Sequence, residues 1–298
     1  MDMLRINGLQ KRFGDKEVLR GLDLCVPENS IFGFIGKNGS GKTTTMKTVL
    51  GLLKADGGEI FVAGERVRSG QTLTNRHIGY LPDVPEFYSF MSAEEYLRFC
   101  GEITGMTNSE IRTRSGELLR LVGLEGEKHR IKGYSRGMKQ RLGIAQALLN
   151  QPKLLICDEP TSALDPAGRK EILDILLAVR EQTTVLFSTH ILSDVERICT
   201  DVALLDGGVI GLQGRLSDLK SRYGRDEYLL ETEREEDAMA LYQAFSGLSL
   251  SGNRITLCAG ETDPFSVLSF AAERRIPLLK FERSERTLES LFMEVTGR

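Results

Sequence analysis

The stretch "GKNGSGKTT", residues 36 to 44, sets Gly36, Gly39 and Gly41 around Lys37, Asn38 and Ser40, and ends in Lys42, Thr43 and Thr44. Glycines at that spacing let a backbone wrap so that its N–H groups face inward, and such a nest holds phosphate. Lys42 can then reach the outer phosphate oxygens, and the Thr43 hydroxyl is placed for Mg²⁺. "LLICDEP" (154 to 160) offers two carboxylates in a row. Asp158 can hold a metal shell or merely cap a helix, and Glu159 can take a proton from an attacking water or help only electrostatically. His190 in "FSTH" is one of three histidines. A lone histidine is more often packing or surface, but at a strand end it can touch a terminal phosphate or orient a water. Phe13 in "KRFGDKEVL" either fills the core or stacks on a base.

"YSRGMKQR" (134 to 141) is a polar turn with a glycine and cations that runs into apolar "LGIAQALL". The start of a helix presents unpaired N–H groups and the positive end of a dipole, so this is a second place for an anion.

These residues need elements to carry them. "SIFGFIG" (30 to 36) reads as a strand and "KTTTMKTVLGLL" (42 to 53) as the helix after it. Gly57 and Gly58 then close that helix, and "EIFVAG" (59 to 64) alternates like a strand. Residues 92 to 122 carry apolar positions at helical spacing, while "PKLLICDEP" and "TTVLFSTH" are short continuous apolar runs, the form of strands covered on both faces. Alternating strand and helix predicts an α/β fold with a largely parallel sheet. Three of its strands end in "GKNGSGKT", "DEP" and "STH", and ligands of open α/β sheets lie beyond the carboxyl ends of strands. The three clusters are therefore expected in one crevice.

Past about residue 215 the pattern becomes βαββαβ, the split-βαβ or ferredoxin-like order, with a closing amphipathic helix in "RTLESLFMEVTG". Two domains are expected, 1–215 and 216–298, the first with a helical subdomain over about 84–150. Composition narrows the classes further. The chain has 298 residues, 41% of them hydrophobic, and a net charge of -3. That suits a globular protein and lacks the basic face of a nucleic-acid binder. Five scattered cysteines without a C-x-x-C pair suggest neither a disulfide framework nor a zinc site. No apolar run is long enough to span a membrane and no signal peptide is visible, so the chain is expected in the cytosol.

Taken together, residues 3 to 215 resemble the ATP-binding-cassette ATPases. Phe13 looks like their adenine-stacking aromatic, "GKNGSGKT" like the Walker A loop, "LLICDE" like Walker B, "SALD" (162 to 165, ending in Asp165) like the D-loop, and His190 like the switch histidine. "SRGMKQ" is similar to the family signature, whose core is usually S-G-G-Q; here Arg136 stands for the first glycine and Lys139 precedes Gln140. The resemblance implies ATP and Mg²⁺ as ligands. It also implies a pair of cassettes, a homodimer in the simplest case, in which Ser135, Gly137 and Gln140 of one close over the ATP of the other.

In "IGYLPDVPEFY" the family usually has glutamine where this chain has Asp83. An ionised aspartate only accepts hydrogen bonds, and it could ligate the metal or a water. "YSRGMKQRL", the accessory domain and the terminal "TLESLFMEVTG" resemble single-cassette subunits that pair with a separate ABC-2-type permease, among them bacterial drug and peptide-antibiotic exporters. An export motor lying on the cytoplasmic face of the membrane is implied, with no nucleic-acid partner. The rival is a soluble ATPase of the same family that remodels a macromolecular complex.

Overall fold

The computed structural model describes residues 2–70, 73–223, 227–258, 262–284 and 288. It divides into two compact units, Met1–Leu216 and Ser217–Arg298.

The first unit opens with a long hairpin of β1 (Asp2–Phe13) and β2 (Lys16–Pro27), then β3 (Ile31–Ile35) and α1 (Lys42–Val49). The strands β4 (Gly57–Val62), β5 (Glu65–Arg66) and β6 (Ile78–Leu81) lead into the helices α2 (Ala93–Ile103), α3 (Asn108–Leu121) and α4 (Arg136–Leu148). β7 (Leu154–Asp158), α5 (Pro166–Val179), β8 (Thr184–Thr189), α6 (Leu192–Ile198), β9 (Asp201–Asp206) and β10 (Val209–Arg215) complete the layers, and α7 (Leu216–Tyr223) follows.

Two sheets face each other across one core. The antiparallel sheet runs β2-β1-β4-β5, and the larger one runs β10-β9-β3-β8-β7-β6, parallel except for β10 at its edge. Every residue of β3, β7 and β8 is buried, which is why these strands read as unbroken apolar runs. Their register sets Ile35 beside Thr189 and Asp158 beside Ser188, so the three polar clusters leave the sheet at one level. Leu4, Ile6, Leu22 and Ile60 of the smaller sheet pack with Phe32, Phe34, Ile156 and Leu186 of the larger.

Several local expectations shift. The helix expected over 42–53 ends at Val49, because Gly51 takes a left-handed φ of +70° and Leu52 turns out to solvent. Gly57 and Gly58 do not close it; they begin β4, with Gly58 at φ +89°. The helical stretch 92–122 is two helices, each opened by a capping box, Ser92 with Glu95 and Thr107 with Glu110.

Helix α4 lies unusually close to β6. A Cβ at Gly79 would stand 2.1 Å from the Ala147 carbonyl oxygen, and one at Gly143 would stand 2.5 Å from Leu81 Cδ1. The first obstacle is main chain and cannot rotate away. Gly79→Ala is therefore expected to cost about 1–3 kcal/mol of unfolding free energy by overpacking, read as a lower urea midpoint; an unchanged midpoint would mean that the seam is loose.

The second unit follows the expected order: β11 (Glu227–Thr232), α8 (Glu235–Ala244), β12 (Leu248–Ser251), β13 (Arg254–Cys258), α9 (Pro264–Glu273) and β14 (Leu278–Ser284). Its antiparallel sheet runs β12-β13-β11-β14, and Leu230, Ile255 and Leu257 pack with Ala238 and Leu241 of α8 and Val267 and Ala271 of α9. The expected closing helix, but for Leu288, lies outside the described residues.

Candidate functional site

Between β3 and α1 the chain must turn sharply, and Gly41 makes that possible. Its φ is +114°, and a Cβ there would meet Leu19 Cδ2 at 2.8 Å. The turn aims α1 at a cleft of about 440 Å³ lined by Asn38, Gly39, Gly41, Lys42, Thr43 and Thr44 from one side. Asp158, Glu159 and His190 line it from the ends of β7 and β8, and Asp83, Ser162 and Val18 complete the rim. The three segments that sequence spacing places together do meet.

Within the cleft the polar groups are ordered in a chain. Lys42 is 5% exposed; its Nζ donates to the Gly36 carbonyl at 2.7 Å and the Lys37 carbonyl at 3.3 Å, and pairs with Glu159 Oε1 at 3.1 Å. The other oxygen of Glu159 lies 2.9 Å from His190 Nδ1. With Glu159 ionised that nitrogen is the donor, which leaves Nε2 for a ligand. Asp158 is held on both oxygens: Thr43 Oγ1 donates to Oδ2 and Ser188 Oγ donates to Oδ1, each at 2.7 Å. Ser188 Oγ in turn accepts from the Glu159 amide at 2.9 Å. One hydroxyl thus sets the neighbouring carboxylates against each other. Glu159 also has φ +49°, a conformation uncommon for a residue with a side chain, and such strain gathers at working sites.

The site suits both ligands implied by its motifs. Ser40 Oγ is buried inside the loop with no hydrogen-bond partner among the described residues, a polar group left over by the fold itself. Thr43 and Asp158 are hard oxygen donors side by side, and Mg²⁺ takes one or two such protein oxygens and fills its octahedron with phosphate and water.

Other expected site residues stand apart from the cleft. Phe13 is half exposed, so it is not a core aromatic; Lys11 Nζ sits 5.4 Å from its ring centroid. Ser135 caps α4, accepting from the Met138 amide at 3.2 Å, and Gly137 follows in the first turn with only Leu164 and Ser135 near its Cβ position. Gln140 is wholly buried and donates to the Asp83 carbonyl at 2.7 Å, which fixes the Asp83 loop. Asp165 caps α5, accepting from the Gly168 amide at 3.0 Å, and is not among the residues that line this chain's own cleft.

Asp83 does line it. Burial, with Asp158 and Glu159 nearby, raises its carboxyl above the ordinary value, against the pull of Arg136. Ser162, Ser188 and Val18 were not expected. Ser188 carried a signal, as a polar member of the buried "LFST" run, and Ser162 opens the "SALD" stretch already singled out; Val18 carried none.

Known proteins bear the same pattern. Residues 19–162 match the family described as ABC transporter, and residues 214–296 match the C-terminal domain of DrrA1-3-like ATP-binding proteins. The uncharacterized ABC transporter ATP-binding protein YxlF of Bacillus subtilis is 37% identical over 297 residues, covering 98% of this chain and 99% of YxlF. The bacitracin transport ATP-binding protein BcrA of Bacillus licheniformis is 33% identical, over 99% of this chain and 97% of BcrA. A solved ATP-binding subunit of an ABC transporter superposes with a TM-score of 0.66 at 31% identity, covering 74% of this chain and 93% of that one.

Proposed function

The chain belongs to the ABC transporter family, as an ATP-hydrolysing subunit, and from that premise we propose that it works as one of two paired cassettes that drive an ABC-2-type permease in the direction of export. The observation that carries the reading is the run Lys42–Glu159–His190 beside Thr43–Asp158, which puts a phosphate-reaching cation, a proton acceptor and a metal-side carboxylate in one cleft. BcrA serves bacitracin transport, and a peptide antibiotic or similar amphiphile is the cargo class proposed here. The remodelling alternative has no support among relatives named for transporters.

Thr43 and Asp158 would hold Mg²⁺, whose charge offsets that of the phosphate oxygens in the transition state. Lys42 reaches the outer phosphates, and Glu159, relieved of Lys42, accepts the proton of the attacking water while His190 steadies its carboxylate. Phe13 is free on one face to stack on adenine. Ser135 and Gly137, at the N-terminal end of α4, present main-chain N–H groups outward to the phosphate of a second cassette. Since only a triphosphate offers those contacts, ATP favours the closed pair and hydrolysis reopens it. No described helix is long and apolar enough to cross a membrane, so attachment at the cytoplasmic face is proposed to come through the permease.

The test is a mild-detergent purification of tagged chain from its native cells with ATP and Mg²⁺. A multi-span membrane protein in stoichiometric amount is expected; soluble or nucleic-acid partners alone would overturn the reading.

A further inference from the structure

A cation at the first position of a helix works against the helix dipole, which favours anions there. Arg136 holds that position in α4, and no acidic residue stands in the helix's first turn. Its charge is met from elsewhere. Nη2 pairs with Asp83 Oδ1 at 3.3 Å, and Nε donates to the Ser162 carbonyl at 3.1 Å. Asp83 and Ser162 both line the nucleotide cleft, so one guanidinium grips two points of its rim. Gln140, one turn along the same helix, holds the Asp83 carbonyl as well. The ion pair is 42% and 47% exposed on its two sides, and pairs so open to water add little to stability. Its effect is to keep Arg136 occupied.

We propose that Asp83 is a built-in competitor for the anion that the start of α4 receives, so that a terminal phosphate arriving at Arg136 from a second cassette releases Asp83 into this chain's own cleft. The inference rests on the two-cassette reading above. Asp83 holds the guanidinium through Nη2 alone, and a phosphate, more highly charged and able to take two of its N–H groups at once, outcompetes a single carboxylate contact. The released Asp83 then stands beside Thr43 and Asp158, so occupancy of one site alters the other, and the coupling runs equally in both directions. Arg136 and Asp83 are positioning residues in this scheme.

The experiment measures association of the full chain by sedimentation across an ATP–Mg²⁺ titration, in a Glu159→Gln background that slows turnover. Asp83→Asn, Arg136→Ala and the double variant are compared. Asp83→Asn frees Arg136 and should lower the ATP concentration for half-association by about threefold, the scale of an exposed ion pair. Arg136→Ala should raise it, and adding Asp83→Asn to Arg136→Ala should then change nothing. Binding of a fluorescent ATP analogue at dilutions where the chain stays single reports separately on folding and on the cleft. An Asp83→Asn effect of the same size with or without Arg136, or no effect at all, would overturn the competitor role. If the Glu159→Gln chain does not associate with ATP, the two-cassette reading falls and takes this inference with it.

Discussion

Replacing Glu159 by glutamine is expected to lower steady-state ATP turnover by about 10²–10⁴-fold while leaving ATP binding intact, the loss associated with a general base. The substitution keeps the shape, and the side-chain amide can still meet His190 Nδ1 where the carboxylate now lies 2.9 Å away. What disappears is the basicity. Phosphate release under saturating ATP and retention of unhydrolysed ATP on the purified chain measure the two halves of the expectation. A loss of only a few-fold would assign Glu159 an electrostatic role and place the base elsewhere.

Lys42→Ala is expected to act twice. Without the cation the cleft loses its reach to the outer phosphates, and removal of one such donor costs about 10²–10³-fold in turnover, with weakened nucleotide binding besides. Without nucleotide the same change leaves Glu159, whose side chain is 14% exposed and whose Oε1 pairs with Lys42 at 3.1 Å, with only His190 facing its other oxygen. Leaving a largely buried carboxylate without its cation destabilises the fold, by about 3–5 kcal/mol in a fully buried pair and less here, where His190 remains. Nucleotide titration and a urea melt in the absence of nucleotide separate the two effects. Intact ATP binding together with an unchanged melt would remove Lys42 from the centre of the site.

Much of this site was legible in the sequence because its parts are contiguous. Gly36 to Thr44 specify a loop on their own, and Asp158, Glu159 and His190 each sit at the end of an apolar run, where the sheet's register brings them level. The second unit was legible for a similar reason, since each of its elements has its own period. The helix boundary near Gly51 is a local matter, but what the sequence left out of the site comes from contacts between distant segments. Nothing near Gln140 says that it will be buried against a carbonyl 57 residues away. Ser188 looks like any strand serine until Asp158 pairs beside it. The long hairpin β1–β2 was hidden as well, since its pairing slips register between Ile6 and Leu9 and again near Lys11, which blurs the alternation that marks a strand.

The seam between β6 and α4 has a mechanical meaning. With Gly79 against the Ala147 carbonyl and Gly143 against Leu81, strand and helix touch without a cushion of side chains. Close-packed matter of this kind has low compliance. Asp83 leaves β6 two residues beyond its end and pairs with Arg136, next to Ser135 at the N-terminal tip of the helix, so the two are mounted at one end of a single stiff arm. A seam this tight leaves strand and helix little room to slide past one another, so a side chain inserted at Gly79 is expected to loosen the mounting of both residues even in molecules that still fold.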